Sequence, residues 1–531
     1  MKRFLSALTG LVFALASMAQ GYSNPVIPGM NPDPSVCRVG NDYYLVTSSF
    51  QYFPGVPVYH SKDLVNWEQI GHVLERESQL ALPDARSWSG VYAPVIRYHD
   101  GLFYMITTNV SSKGNFIVTA SDPAGDWSDP IWIDMPGIDP ELFWDEDGQC
   151  YYNGAADDGI IQCRIDPLTG RKLSEPKMIW KGTGGRYPEA PHIYKKDGWY
   201  YLLIAEGGTE FGHGVTMARS RNVDGPYESA PCNPILTHFK QKTQGSPIQG
   251  TGHADLVQAH DGSWWMVCLA FRIQGGNHHL LGRETFLAPV EWEKEGWPVV
   301  NGTGDIALEM DVPTLPQQPF AKPEIRENFN GHDYENPVVK GLGPEWSWIR
   351  NPDESCYQVT SGLLRMHGSR YNLNEISASP TFIGRRQEDI NFTAETQVRL
   401  RKPHTGDKAG LTVYMESGAH YDLYIQKSYG GKWAVVMRYA LGSLNHVIEA
   451  YVNSPKVWLR ITGDADAYRF FYSMNGEDYR QIGTGDTRYL SSETVGGFTG
   501  IMIGLWSQCP DVKTNVVPGF ADFEYFEYRG E

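Results

Sequence analysis

Four ionisable residues stand at matching places in a repeated phrase: Asp33, Asp139, Glu189 and His253. Asp33 opens "DPSVCRVGNDYYLVTSS", Asp139 opens "DPELFWDEDGQCYYNGA", Glu189 opens "EAPHIYKKDGWYYLLIA" and His253 opens "HADLVQAHDGSWWMVCL". A fifth copy, "APVIRYHDGLFYMITTN", starts at Ala93 with no ionisable group in that place. An Asp before Pro often does no more than start a turn, so Asp33 or Asp139 alone says little. Ionisable groups at four of five equivalent, half-buried places need a reason, because burying an unpaired charge is costly. Three carboxylates and one His make a poor zinc set. Oxygen donors leave calcium open as an alternative. A nucleophilic triad is excluded at these positions, since none is Ser or Cys. The set fits glycosidic hydrolysis best. There, one carboxylic acid protonates the leaving oxygen, one carboxylate activates water, and a third carboxylate raises the acid's pKa by like-charge repulsion.

Such a cluster must be assembled by elements far apart in the chain. Each copy of the phrase has an alternating apolar run, a tight turn and an aromatic strand. The turn reads Asn41-Asp42 in the first copy and Asp-Gly in the other four. Asp-Gly between two alternating runs is a strong hairpin signal, because Gly accepts the positive φ of the turn. The copies start 60, 46, 50 and 64 residues apart. That spacing suits the blade of a β-propeller, so five copies predict five blades over residues 24–310. In a propeller the inner strands start near the central channel, which brings residues 33, 93, 139, 189 and 253 face to face.

The bulk composition agrees with an all-β chain of two domains. The 531 residues exceed what one core holds. Tyr numbers 30 and Trp 16, types that favour strands. The net charge of −17, without basic runs, excludes nucleic acid and anionic membranes as partners. The seven Cys form no CxxC pair and read as buried free thiols, with a Cys150–Cys163 disulfide left open. Residues 1–19 have the basic start, apolar stretch and small-residue end of a signal peptide cleaved after Ala19. The apolar stretch is too short to span a membrane. We therefore expect an exported protein, periplasmic or secreted, without membrane insertion. Nothing in the sequence specifies an oligomeric state.

Residues 311–324 carry four Pro and no strand pattern, and read as a linker. Beyond it the phrase stops. Ala394, Thr396, Val398 and Leu400 alternate on one face, and Asn475-Gly476 signals a hairpin. Residues 325–531 are predicted to form an antiparallel β-sandwich. "AEGGTEFGHG", from Ala205 to Gly214, lacks the Walker lysine and the GxGxxG spacing, and reads as a flexible turn near the channel. His278 and His279 in "GGNHHL" read as loop residues.

Six segments, taken together and in order, resemble glycoside hydrolase family 43. They are "NPDPSVCRVGNDYYLVTSSFQYFPGVPVYHSKDLVNW", "GIDPELFWDEDG", "GRYPEAPHIY", "AEGGTEFGHG", "QGTGHADLV" and "LGRETFLAPV". The likeness is to the β-xylosidase and α-L-arabinofuranosidase branch, whose C-terminal domain is a jelly-roll, concanavalin-like sandwich. It implies an inverting, exo-acting enzyme that removes terminal xylose or arabinofuranose from oligosaccharides and needs no cofactor for chemistry, with β-xylosidase activity weighted slightly ahead. By position it makes Asp33 the general base, Glu189 the general acid and Asp139 the residue that orients the acid and modulates its pKa. It makes Arg283 a contact to the terminal sugar, His253 a support for the base, and Phe50 an aromatic wall. Tyr92 stands where many β-xylosidases of this type have Trp, so it bears on the choice between xylose and arabinose. Ala190 stands where Gly is common. The sandwich is expected to lend Phe498, in "VGGFTG", to the pocket rim, and to hold a structural calcium with Glu327 and Asp522 as candidate ligands.

Other functions fit less well. A retaining five-bladed hydrolase of fructans would need an Asp nucleophile in an "NDPNG"-like segment, which is missing. A sugar-binding propeller without catalysis, or a protein scaffold, has no need of acid, base and modulator together.

Overall fold

The computed structural model describes residues 21–239, 245–274, 276–321, 325–331, 336–428, 430–511 and 519–531. The leader at 1–19 and linker residues 322–324 lie outside the described residues. The first domain is a five-bladed propeller of antiparallel sheets. Its inner strands are Ser35–Val39, Val95–His99, Ile138–Trp144, Glu189–Lys196 and Ile248–Gln258. Each packs against the inner strand of the next blade, and the fifth returns to the first, so the ring is closed.

The repeated turns are the hairpins between first and second strands. Asp100-Gly101 and Asp197-Gly198 are two-residue loops with positive φ at both positions, the geometry that Asp-Gly favours. In blade one the turn is Gly40-Asn41, one residue earlier than the sequence suggested, and Asp42 pairs with Val39 inside the ladder. Gly40, at φ +64°, supplies the conformation the turn needs. The ring is locked where its ends meet. Tyr22–Ser23 pairs with Glu309–Met310, Tyr22 donates to the Leu287 carbonyl at 2.8 Å, and the Asn24 side chain bonds both backbone groups of Leu287.

The second domain is a sandwich of two antiparallel sheets. One contains Phe392–Arg401 and Phe520–Gly530 at its centre; the other contains Lys408–Glu416 between Ala419–Lys427 and Met502–Gln508. Ala394, Thr396, Val398 and Leu400 all face the interior. Asn475-Gly476 lies in the turn between Ala467–Ser473 and Arg480–Asp486.

The two domains share a core. Phe53, Val56, Leu80 and Ile96 of the propeller belong to the same buried cluster as Trp346, Trp348, Leu411 and Ile503. Tyr52–Phe53 of blade one pairs with Trp348–Ile349 in a two-stranded sheet across the junction. The linker is itself packed: Leu315 is buried, and the Gln318 amide donates to Asp63 Oδ2 at 2.6 Å.

Candidate active site

The backbone around the channel is bent to aim side chains inward. Asp33, Asp139 and His253 have φ of 57°, 53° and 47°, and Ala190, after Glu189, has 52°. Left-handed φ is uncommon outside Gly and tends to gather at functional sites. The inner ladders also slip beside three of these residues, between Ile138 and Glu141, Glu189 and His192, and Gly252 and Asp255. A slip of this kind leaves a residue unpaired and re-aims its neighbour.

The result is one chamber at the end of the ring where the inner strands begin. Asp33 and Asp139 are each 5% exposed and His253 is 6% exposed, while the Glu189 side chain keeps 18%. Asp139, Glu189 and His253 each offer a polar atom within 4.8 Å of the others. Arg283 Nη1 donates to Asp33 Oδ1 at 2.9 Å, and Ser48 Oγ donates to Asp33 Oδ2. His253 Nδ1 lies 3.6 Å from Asp33 Oδ1.

These surroundings push the acids in opposite directions. Burial alone would raise Asp33, but Arg283, His253 and the Ser48 hydroxyl outweigh it and hold the carboxyl below its ordinary range. Burial and the negative charge of Asp33 raise Glu189 to about 7, against the pull of Arg283. Burial, Glu189 and Asp33 push Asp139 well above the usual value. Burial drives His253 down to about 3, so its ring is neutral at working pH. Two groups whose environments drive their pKa values apart are the signature of an acid and base pair.

A polar plug lies beneath the chamber. Arg97, from blade two, donates to Asp255 of blade five at 2.8 Å, Glu141 of blade three at 3.0 Å, Ser35 of blade one at 3.1 Å and His192 Nδ1 of blade four at 2.9 Å. One residue from each blade thus fills the channel, and the chamber is a blind pocket.

Residues 22–298 match the family model described as "Glycosyl hydrolases family 43", and residues 335–529 match "Beta xylosidase C-terminal Concanavalin A-like domain". The chain is 41% identical over 536 residues to a non-reducing end α-L-arabinofuranosidase of Bacteroides ovatus, covering 99% of this chain and 98% of that one. The protein belongs to glycoside hydrolase family 43. It is 40% identical to a xylosidase/arabinosidase of Butyrivibrio fibrisolvens, with 95% of this chain and 98% of that protein covered. A solved family 43 structure from the Bacteroides ovatus xyloglucan locus superposes with a TM-score of 0.89 at 40% identity, over 96% of this chain and 100% of that one. The chain is a glycoside hydrolase with the family's propeller and sandwich.

Within this family 43 enzyme an aromatic wall runs from Arg283 outward. The Arg283 guanidinium lies 5.7 Å from the Phe50 ring and 5.6 Å from the Phe498 ring. Phe50 meets Tyr92 at 5.8 Å, Tyr92 meets Phe498 at 6.3 Å, and Phe498 meets Trp88 at 5.8 Å. Trp88, 41% exposed, ends the row at the mouth. Phe498 comes from the sandwich, and its carbonyl accepts from Arg283 Nη2 at 3.2 Å. That loop is pinned by Glu493, whose carboxylate accepts from the His279 amide at 3.1 Å and meets His279 Nδ1 at 2.7 Å.

In the sandwich, the two candidate calcium ligands Glu327 and Asp522 do not come together. Asp522 is bound by Arg365 at 2.8 Å and Arg401 at 3.0 Å, so two guanidiniums occupy the carboxylate a metal would need. Glu327 pairs with Phe526, four residues along the strand, or roughly 13 Å from Asp522. Its Oε1 accepts from the Phe329 amide. Cys150 and Cys163 are free thiols, like the other five.

Several site residues carry no clear mark in the sequence. Thr209 accepts from Arg283 Nη1 at 2.9 Å, and His213 stands 3.7 Å from Glu189, both from the Gly-rich "AEGGTEFGHG" segment. Of the plug, Ser35, Glu141 and Asp255 had a readable signal. Each lies two residues beyond Asp33, Asp139 or His253 in the repeated phrase.

Proposed function

We propose that this hydrolase removes single terminal pentoses, α-L-arabinofuranose and β-D-xylose, from the non-reducing ends of plant-derived oligosaccharides, with inversion at the anomeric carbon. Asp33 takes a proton from water as the water attacks, and Glu189 gives its proton to the departing oxygen. Burial and the charge of Asp33 keep Glu189 protonated, Asp139 beside it orients the acid, and Arg283 holds both the base and a sugar hydroxyl. The observation that carries this reading is the opposed electrostatics of Asp33 and Glu189 in one chamber. A blind pocket suits attack on a chain end, because an internal sugar would need a channel open at both sides. The pairing of activities rests on the names of the relatives above and on Tyr92, which stands where many β-xylosidases of this type have Trp.

The test offers nitrophenyl α-L-arabinofuranoside and nitrophenyl β-D-xyloside side by side. Release from both is expected, and release from neither would overturn the pentose reading. Proton NMR of the first-formed sugar is expected to record the inverted anomer. Retention would remove direct attack by water. Export is part of the same reading, supported by the pattern of residues 1–19, and N-terminal sequencing of the mature protein should begin after Ala19.

A further inference from the structure

His213 leads into Gly214–Ser220, the third strand of blade four, and its side chain is wholly buried. Its Nδ1 lies 3.2 Å from the Gly250 carbonyl. A carbonyl can only accept, so the ring proton sits on Nδ1, and the neutral ring carries a lone pair on Nε2. Nε2 has no hydrogen-bond partner among the described residues, and it faces Glu189 Oε1 at 3.7 Å. Packing sets this aim: a Cβ built at Gly252 would come within 2.3 Å of the imidazole, so the ring rests on bare backbone.

We propose that His213 is a positioning residue for the general acid, its unprotonated Nε2 holding Glu189 in the carboxylic acid form and so setting the upper pH limit of hydrolysis. A carboxylate would turn its own lone pairs toward that of Nε2, whereas the acid can turn its proton there. The imidazole neither gains nor loses a proton in the cycle. The proton that reaches the glycosidic oxygen comes from Glu189, and solvent returns one to Glu189 as Asp33 sheds the one taken from water. The other charged or titratable groups facing this pair are Asp33, Asp139, His253 and Arg283. Burial keeps the His213 ring neutral, its pKa driven down to about 4, with the Gly250 bond and Asp33 opposing and Arg283 reinforcing.

The proposal rests on Glu189 as the acid, and the experiment separates the two claims. The pH profile of kcat/KM is measured on an unactivated xylo- or arabino-disaccharide for wild type, His213→Gln and Glu189→Ala. In His213→Gln an amide N–H can face the carboxylate and favour its ionised form. The alkaline limb should move down by about one pH unit, so that the rate at pH 8 falls about tenfold further than the rate at pH 5. An unmoved limb in a folded His213→Gln protein overturns the proposal, while full disaccharide activity of Glu189→Ala overturns the acid assignment beneath it. Should His213→Gln fail to fold, long-range 15N spectra of wild-type histidine rings decide. An unprotonated Nε2 between pH 5 and 8 is expected, and a protonated Nε2 in that range overturns the proposal.

Discussion

At the residue scale the site works by contrast: Asp33 and Glu189 share a chamber and Arg283, yet one is held ionised and the other protonated. The difference comes from contacts. Asp33 receives Arg283 and Ser48 directly, while Glu189 receives burial and the field of Asp33. On disaccharides, Glu189→Ala should lower kcat by about 10²–10⁴-fold, with a much smaller loss on dinitrophenyl glycosides, whose leaving group needs no proton. Asp33→Asn should be severely impaired on both, since the same displacement needs base-assisted attack by water whichever group departs. The pH dependence follows from the same contacts. Activity needs Glu189 protonated, so kcat/KM should fall above about pH 7. It also needs Asp33 ionised, so the acid limb should lie below the ordinary carboxylate value of about 3.9. A profile rising through pH 8 would contradict the first statement. Tyr92→Trp should raise the xyloside-to-arabinofuranoside ratio of kcat/KM, because the ring fills the space beside Phe50 without the hydroxyl.

At the scale of elements, the inner strands trade regularity for aim. Three ladder slips and the left-handed residues Asp33, Phe50, Asp139, Ala190 and His253 surround the chamber, and each costs stability that the rest of the blade must supply. Ala190 is the informative one, since it carries a side chain at φ 52° without obvious chemistry. Left-handed backbone costs an L-residue on the order of 1–2 kcal/mol. Glycine removes that cost but gives back about 0.4–1 kcal/mol through the freer unfolded chain. Ala190→Gly should therefore raise stability by about 0.5 kcal/mol in denaturant unfolding, with little change in kcat. A marked loss of stability would mean that the Ala190 methyl, buried at 2% exposure, packs better than its backbone suggests.

At the scale of the whole molecule, the sandwich completes the propeller. It contributes Phe498 to the pocket and shares a hydrophobic core with blades one and two. Scanning calorimetry should record one coincident unfolding transition for both domains, since neither can open without exposing that core. Two well-separated transitions would show the domains to be energetically independent. Activity loss should follow the same transition, because Arg283 loses the Phe498 carbonyl when the domains part.

Much of this was legible in the residues. The Asp-Gly turns and alternating runs report local geometry, so the repeat, the blade count and the four ring positions could be read directly. Phe498 and Arg283 came through motif likeness, and the structure puts both at the chamber. The partners of Asp522 are not legible in the sequence, because a lone acid in a strand looks the same whether it meets a metal or, as here, two arginines. His213 and Thr209 were hidden in a Gly-rich segment that resembles any flexible turn.

The order of residues alone determined that five similar hairpins would form and that each would start with a particular side chain, because period and turn chemistry act between near neighbours. Only the closed ring decided which of those side chains touch, how deeply they are buried, and hence which carboxyl keeps its proton. Those quantities depend on distances and solvent exposure between residues more than a hundred positions apart, as with Asp33 and Arg283.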